Sequence, residues 1–200
     1  MMRLFEFPTS GNCYKIRLAL AQTGTPYERK EMGRNDGSTK TLEFRTLSPL
    51  GKVPALEVAP GKVLVESVAI LFFLAKGTPL FPHDAWEQAE VLRWMCFEQS
   101  EILPRIGTAR FIRKMLGAPK ERAAELSAAQ EAGYASLAIL DGHLGGRKFM
   151  VGETYTIADI ALYAYVHLAP DAGMDPSRFP NVSAWLGRVK QQPGHVELMQ

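Results

Sequence analysis

The rhythm of apolar and polar positions divides the chain in two. "RLFEF" (Arg3 to Phe7) alternates polar and apolar residues and predicts a first strand. "NCYKIRLALAQT" (Asn12 to Thr23) carries Ile16, Leu18, Ala19 and Leu20 and is followed by Gly24, the pattern of a helix with a stop. "PYERKEM" predicts a second strand and "TKTLEFRTL" a short helix. "VPALEV" and "KVLVES" flank "APG" (Ala59 to Gly61), a hairpin signal, and "ESVAILFFLA" closes the unit as a helix. The order is therefore strand, helix, strand, helix, strand, strand, helix, a βαβαββα unit within residues 1–76.

The stretch "KGTPLFPHDA" then breaks both periods with Gly77, Pro79 and Pro82, which predicts a linker over 77–85. Residues 86–200 read as an all-α bundle. Trp86 to Met115 places Leu92, Cys96, Leu103 and Ile106 on one side, with a bend at Pro104. On that pattern Cys96 is expected in the core. Lys120 to Leu144 forms a second long helix ended by Gly145 and Gly146, and shorter helices follow at Ile157 to Leu168 and Val182 to Gln192. In "YTIADI", Thr156 is an N-cap with Asp159 three residues on, a capping box with Asp in place of Glu, flanked by Tyr155 and Ile160 at the staple positions. Such a cap contributes about 1 kcal/mol, and capping accounts for the spacing of Asp159 without a catalytic role.

Composition narrows the functional classes. With 200 residues, 46% hydrophobic and 22% charged, the chain can bury a sizeable core. A net charge of +2 from 23 basic and 21 acidic residues argues against a nucleic-acid surface, and "RFIRK" (Arg110 to Lys114) reads as a solvated helix face. Arg3, Glu6, Lys15 and Arg17 interrupt any secretory apolar region. The longest apolar run, Val68 to Ala75, is too short to span a bilayer and predicts a buried core helix. Two cysteines, Cys13 and Cys96, are too few for a disulfide scaffold, so reduced thiols in a cytoplasmic protein are expected. The four histidines lack close ligand spacing, so no metal is expected.

Candidate chemistry concentrates in "PTSGNCYK" (Pro8 to Lys15), where small polar side chains and a thiol meet a helix N-terminus, a place suited to holding an anion. Together, "SGNCYKIRLAL", "SPLGKVPALEV" leading into "VESVAILFFL", and "YTIADIAL" resemble the cytosolic glutathione transferases over essentially the whole chain. The third motif resembles the folding cap of that family's sixth helix. The likeness is to bacterial members of the serine or asparagine type, theta-, zeta- and nu-like.

The resemblance implies a thioredoxin-like N-terminal domain with a cis Val53–Pro54 bond, whose Val53 N–H and C=O pair with the cysteinyl part of glutathione. It implies Ser67 for the γ-glutamyl carboxylate, Glu66 for the neighbouring ammonium, and Lys52, with Lys40 as second candidate, for the glycyl carboxylate. Each also has a plainer reading: a strand-start proline, a helix cap, solvent-facing lysines. Ser10 aligns with the catalytic hydroxyl of the serine-type classes. Asn12 aligns with the cysteine of the beta class and the catalytic asparagine of some bacterial relatives, and Cys13 lies one residue beyond.

A free thiol has a pKa of about 8.5, and lowering it by about two units takes roughly 2.7 kcal/mol of preferential thiolate stabilisation. The Ser10 hydroxyl, the Asn12 amide and the helix N-terminus are the expected source, with Thr9 as a fallback donor. A reactive Cys13 forming a mixed disulfide with glutathione, or a loop-and-cap cluster without chemistry, remain alternatives. "FEQSEILPRIGTARF" offers Gln99, Arg105, Arg110 and Phe111 as lining for a second-substrate pocket, with Gln99 and Arg110 singled out. The implied function is attack of activated glutathione on a hydrophobic electrophile in a homodimer, glutathione being co-substrate and no cofactor being required. A glutathione-dependent disulfide reductase or peroxidase, and a non-catalytic binding module, are the rivals.

Overall fold

The computed structural model describes residues 1–200, which form two compact units: residues 1–78 with 193–200, and residues 79–192. In the first unit, β1 (Met2–Glu6), α1 (Gly11–Gln22), β2 (Tyr27–Glu31), α2 (Leu42–Leu47), β3 (Ala55–Ala59), β4 (Lys62–Val65) and α3 (Ser67–Ala75) follow in the expected order. The sheet runs β2–β1–β3–β4, with β1 parallel to β2 and antiparallel to β3, and β4 antiparallel to β3. This is the thioredoxin-like arrangement expected, and α1 packs on α3.

Helix α1 is buried on nearly every side, through Cys13, Tyr14, Ile16, Leu18, Ala19 and Leu20. Helix α3 is not. It turns Ile70, Leu71 and Leu74 inward but leaves Phe72 and Phe73 37% and 44% exposed, so it is one-sided rather than the buried core helix expected. A run apolar all round carries no phase of its own, and the side that faces the sheet is chosen by packing.

Charge also enters this core. Buried Glu6 meets buried Arg17 at 3.0 Å, and Arg29 reaches its other oxygen at 2.6 Å. Arg17 donates further to the main-chain oxygens of Pro8 and Gln200, both at 2.9 Å, and of Leu198. Tyr14 donates to the Val196 carbonyl at 2.7 Å. A buried guanidinium must place its five donors, and the last residues of the chain supply acceptors. Residues 193–200 therefore belong with the first unit, not with the helical one in which the 86–200 reading placed them.

In the second unit α4 (Ala85–Phe97) is capped by Asp84, whose carboxylate accepts the Glu87 N–H. The helix continues through wider π-helical turns over Glu98–Gly107, α5 (Thr108–Arg110) and further π turns over Phe111–Met115. Pro104 lies within the first wide stretch. A proline removes one N–H and crowds the preceding turn, and widening the turn relieves both. The buried seam is Val91, Trp94, Met95, Ile102, Ile106 and Ala109. That seam corrects the sequence reading: Cys96 is exposed rather than core, and Leu92 is 43% exposed. Both lie off the three-four spacing that runs from Val91 through Trp94 and Met95.

Helices α6 (Ala123–Leu144), α7 (Ile157–Val166) and α8 (Pro180–Lys190) complete the bundle, and every residue of α7 is buried. The capping box is present at the start of α7. Asp159 Oδ2 accepts the Thr156 N–H at 2.9 Å, while Oδ1 accepts the Met150 N–H at 2.9 Å and the Trp185 indole N–H at 2.8 Å. Burial pushes the Asp159 carboxyl up to about 6, against the pull of those hydrogen bonds. No helix is long and apolar enough to cross a membrane.

Candidate functional site

The site is built where the first turns of α1 and α3 meet in the first unit. Ser10 stands in extended backbone as the N-cap of α1, its Oγ accepting the Cys13 N–H at 3.3 Å. It is half-buried, and an accepting hydroxyl still has its own hydrogen to donate. Asn12 follows in the first turn, half-buried, with Oδ1 accepting from Lys15 Nζ at 3.0 Å and from Ser67 Oγ at 3.4 Å. Lys15 is fully buried and also donates to Ser67 Oγ at 3.3 Å. These bonds clasp the starts of the two helices.

Ser67 is the first residue of α3, so its N–H lies among the unpaired donors of a helix start. It is delivered there by Glu66, which adopts φ 67°, ψ 112°, a conformation that costs a non-glycine residue roughly 1–3 kcal/mol and is concentrated at functional sites. The Glu66 side chain is exposed. The Val53–Pro54 bond is cis. Strand pairing of β3 begins at Ala55, so Val53 lies outside the ladder. The loop before it turns at Gly51, with φ +59°, where a Cβ would stand 2.5 Å from the Thr39 carbonyl oxygen and 3.6 Å from Lys40 Nζ. That close approach brings the exposed Lys40 beside the segment carrying exposed Lys52.

Cys13 has no such access. It is completely buried, and burial pushes its thiol up to about 11, with its polar neighbours Ser10 and the Phe7 main chain offsetting only part. A sealed, protonated thiol is a poor nucleophile. Thr9 receives a hydrogen bond from Arg34 at 3.1 Å, and the Arg34 guanidinium lies 4.9 Å from the Phe7 ring centre.

The residues offered for a second substrate lie in the helical unit. The Gln99 amide donates to Glu98 at 2.7 Å. Arg110 is buried and paired with Asp171 at 3.2 Å, Arg105 is paired with Glu101, and Phe111 is 41% exposed. Arg110 shares Asp171 with Lys114, which lies 3.3 Å from the other carboxylate oxygen, so the Arg110 guanidinium is engaged within its own unit. Sequence reasoning passed over Lys15 and Arg34. For Lys15 a signal existed: a cation three residues after Asn12, one of two with Arg17, inside a helix buried on nearly every side.

Comparison with known proteins agrees with this architecture. The family description "Glutathione S-transferase, N-terminal domain" matches residues 1–76, and "Glutathione S-transferase, C-terminal domain" matches residues 93–193. A crystal structure of glutathione S-transferase from Pseudomonas fluorescens superposes with a TM-score of 0.98 at 42% identity, covering 100% of this chain and 99% of that one. A second glutathione transferase family member from P. fluorescens, with two glutathione bound, gives a TM-score of 0.86 at 30% identity over 96% of this chain and 89% of its own. Among curated relatives, the glutathione S-transferase-like protein LUC7 of a Fusarium species is 36% identical over 94% of this chain and 87% of its own length. Elongation factor 1-gamma-A of Xenopus laevis is 31% identical over 95% of this chain but only 44% of its own length. With both family domains matched in order, on the fold and the paired helix starts described above, the chain belongs to the glutathione S-transferase family.

Proposed function

We propose that this protein is a glutathione transferase that binds glutathione on its first unit and presents the sulfur, as thiolate, to a hydrophobic electrophile. The observation that carries the reading is the clasp between the two helix starts, in which Asn12 and Ser67 stand 3.4 Å apart. It supports a ligand whose γ-glutamyl carboxylate meets the start of α3 while its sulfur meets the start of α1. Glu66 then faces the ammonium, Val53 the cysteinyl main chain, and Lys52 with Lys40 the glycyl carboxylate.

Ser10 donates its hydroxyl hydrogen and Asn12 its amide hydrogen to the sulfur. Each charge-assisted hydrogen bond strengthens as the thiol ionises, and together with the helix N-terminus they supply the roughly 2.7 kcal/mol that two pKa units require. The thiol proton leaves to solvent, the sulfur lone pair forms the new carbon–sulfur bond, and the electrophile's leaving group departs with its bonding pair. Burial of Cys13 favours this scheme over a mixed disulfide at that residue. The exposed Phe72 and Phe73 of α3 support a homodimer, in which a second copy would cover them.

The kinship with elongation factor 1-gamma-A keeps a purely binding role as the second reading. Titration of the glutathione complex by thiolate absorbance between about pH 5 and pH 9 separates the two. A transferase shows an apparent thiol pKa near 6 to 7, raised by Ser10→Ala or Asn12→Ala, together with conjugation of 1-chloro-2,4-dinitrobenzene. Saturable binding with an unshifted thiol would leave only the binding role.

A further inference from the structure

Resting on the reading of this site as one that ionises glutathione, we propose that Lys15 is a positioning residue: it fixes which end of the Asn12 amide meets the sulfur. An asparagine side chain can offer either an acceptor or a donor. A carbonyl turned towards a thiolate would repel it, and an N–H would stabilise it. Lysine carries three donors and no acceptor, so the Asn12 atom 3.0 Å from Lys15 Nζ has to be the oxygen.

The second contact points the same way. Ser67 Oγ accepts from Lys15 at 3.3 Å, which leaves the Ser67 hydrogen for Asn12 Oδ1 at 3.4 Å. Two donors therefore converge on the oxygen, one of them an ammonium, and the amide NH2 is directed away from both. Asn12 is half-buried rather than sealed, and on this proposal that NH2 is the part of the side chain the sulfur meets. An ammonium bound to the amide oxygen also draws electron density from the nitrogen and makes its N–H a stronger donor. Lys15 itself is completely buried and acts through Asn12 without touching the sulfur.

The test measures the thiol pKa of bound glutathione, and separately the affinity for S-methylglutathione, which has no proton to lose. Lys15→Met is expected to raise the bound thiol pKa by about one unit, leaving about tenfold less thiolate at pH values below it. Affinity for S-methylglutathione should stay within about twofold, and Lys15→Arg should recover much of the lowered pKa. An unchanged pKa in Lys15→Met overturns the proposal. So does weakened S-methylglutathione binding with an unshifted pKa, which would make Lys15 a partner of the ligand's own charge. Should Lys15→Met fail to fold, the side-chain NH2 resonance of Asn12 in the unmodified protein decides, since it should titrate with the bound thiol. A resonance indifferent to that titration overturns the proposal. If the unmodified protein neither binds glutathione nor shifts its thiol, the reading of the site fails first and the role of Lys15 with it.

Discussion

Asp159 offers a direct test of how the helical unit is held together. Replacing it with alanine strips the acceptor from three N–H donors, those of Met150, Thr156 and the Trp185 indole, in a place with no solvent exposure. Each buried donor left unpaired costs about 1–3 kcal/mol, and neighbouring losses do not add fully. Removing the carboxylate also relieves its own desolvation. Burial raises its pKa from 3.8 to about 6, a rise already net of those hydrogen bonds, so the relief offsets only part of the loss. The balance for Asp159→Ala is a loss of about 3–5 kcal/mol. Asp159→Asn keeps one oxygen for two of the donors but sets an NH2 against the Thr156 N–H, so an intermediate loss of about 2 kcal/mol is expected. All three tryptophans, Trp86, Trp94 and Trp185, lie in the helical unit, so urea unfolding followed by tryptophan fluorescence reports on it specifically. A loss below about 1 kcal/mol for the alanine variant, at unchanged m-value, would refute the view that this carboxylate organises the junction.

Three further outcomes are expected. The folded Asp159 pKa of about 6 lies above 3.8, so between about pH 4 and pH 6 the folded state keeps a proton that the unfolded state has lost. Its contribution to stability therefore falls as pH rises through that window and levels off above it, and the stability difference between the natural protein and Asp159→Asn should fall across the same window. Exposed Cys96 should react with a thiol reagent in the native protein at pH 8, whereas buried Cys13, with only about one part in a thousand ionised, should react only on unfolding. Gly51→Ala should cost about 1–2 kcal/mol for its left-handed backbone and push the turn carrying Lys52 away from the Thr39 carbonyl and Lys40. Calorimetry should then show weaker binding of glutathione, and little change for γ-glutamylcysteine, which lacks the glycyl carboxylate.

Much of the fold was legible because its signals are local. The alternation in "RLFEF", the stop at Gly24 and the capping box of Thr156 and Asp159 act within a turn or two of backbone, so element order and type follow from neighbouring residues alone. The start of α1, read at Asn12 and found at Gly11 behind its cap Ser10, and the helix opening at Ser67 were readable for the same reason. What neighbours cannot encode is which side of a uniformly apolar helix faces in, or which distant residues meet. Packing turned Phe72 and Cys96 outward and sealed Cys13. It brought the end of the chain back onto Arg17, and carried Ser67 to Lys15 and Asn12 across more than fifty residues of sequence. The sequence by itself determined the elements, their caps and the residue types the chemistry needs. The tertiary structure decided how a buried ammonium orients one amide, because a hydrogen bond's direction depends on donors that approach through space and not along the chain.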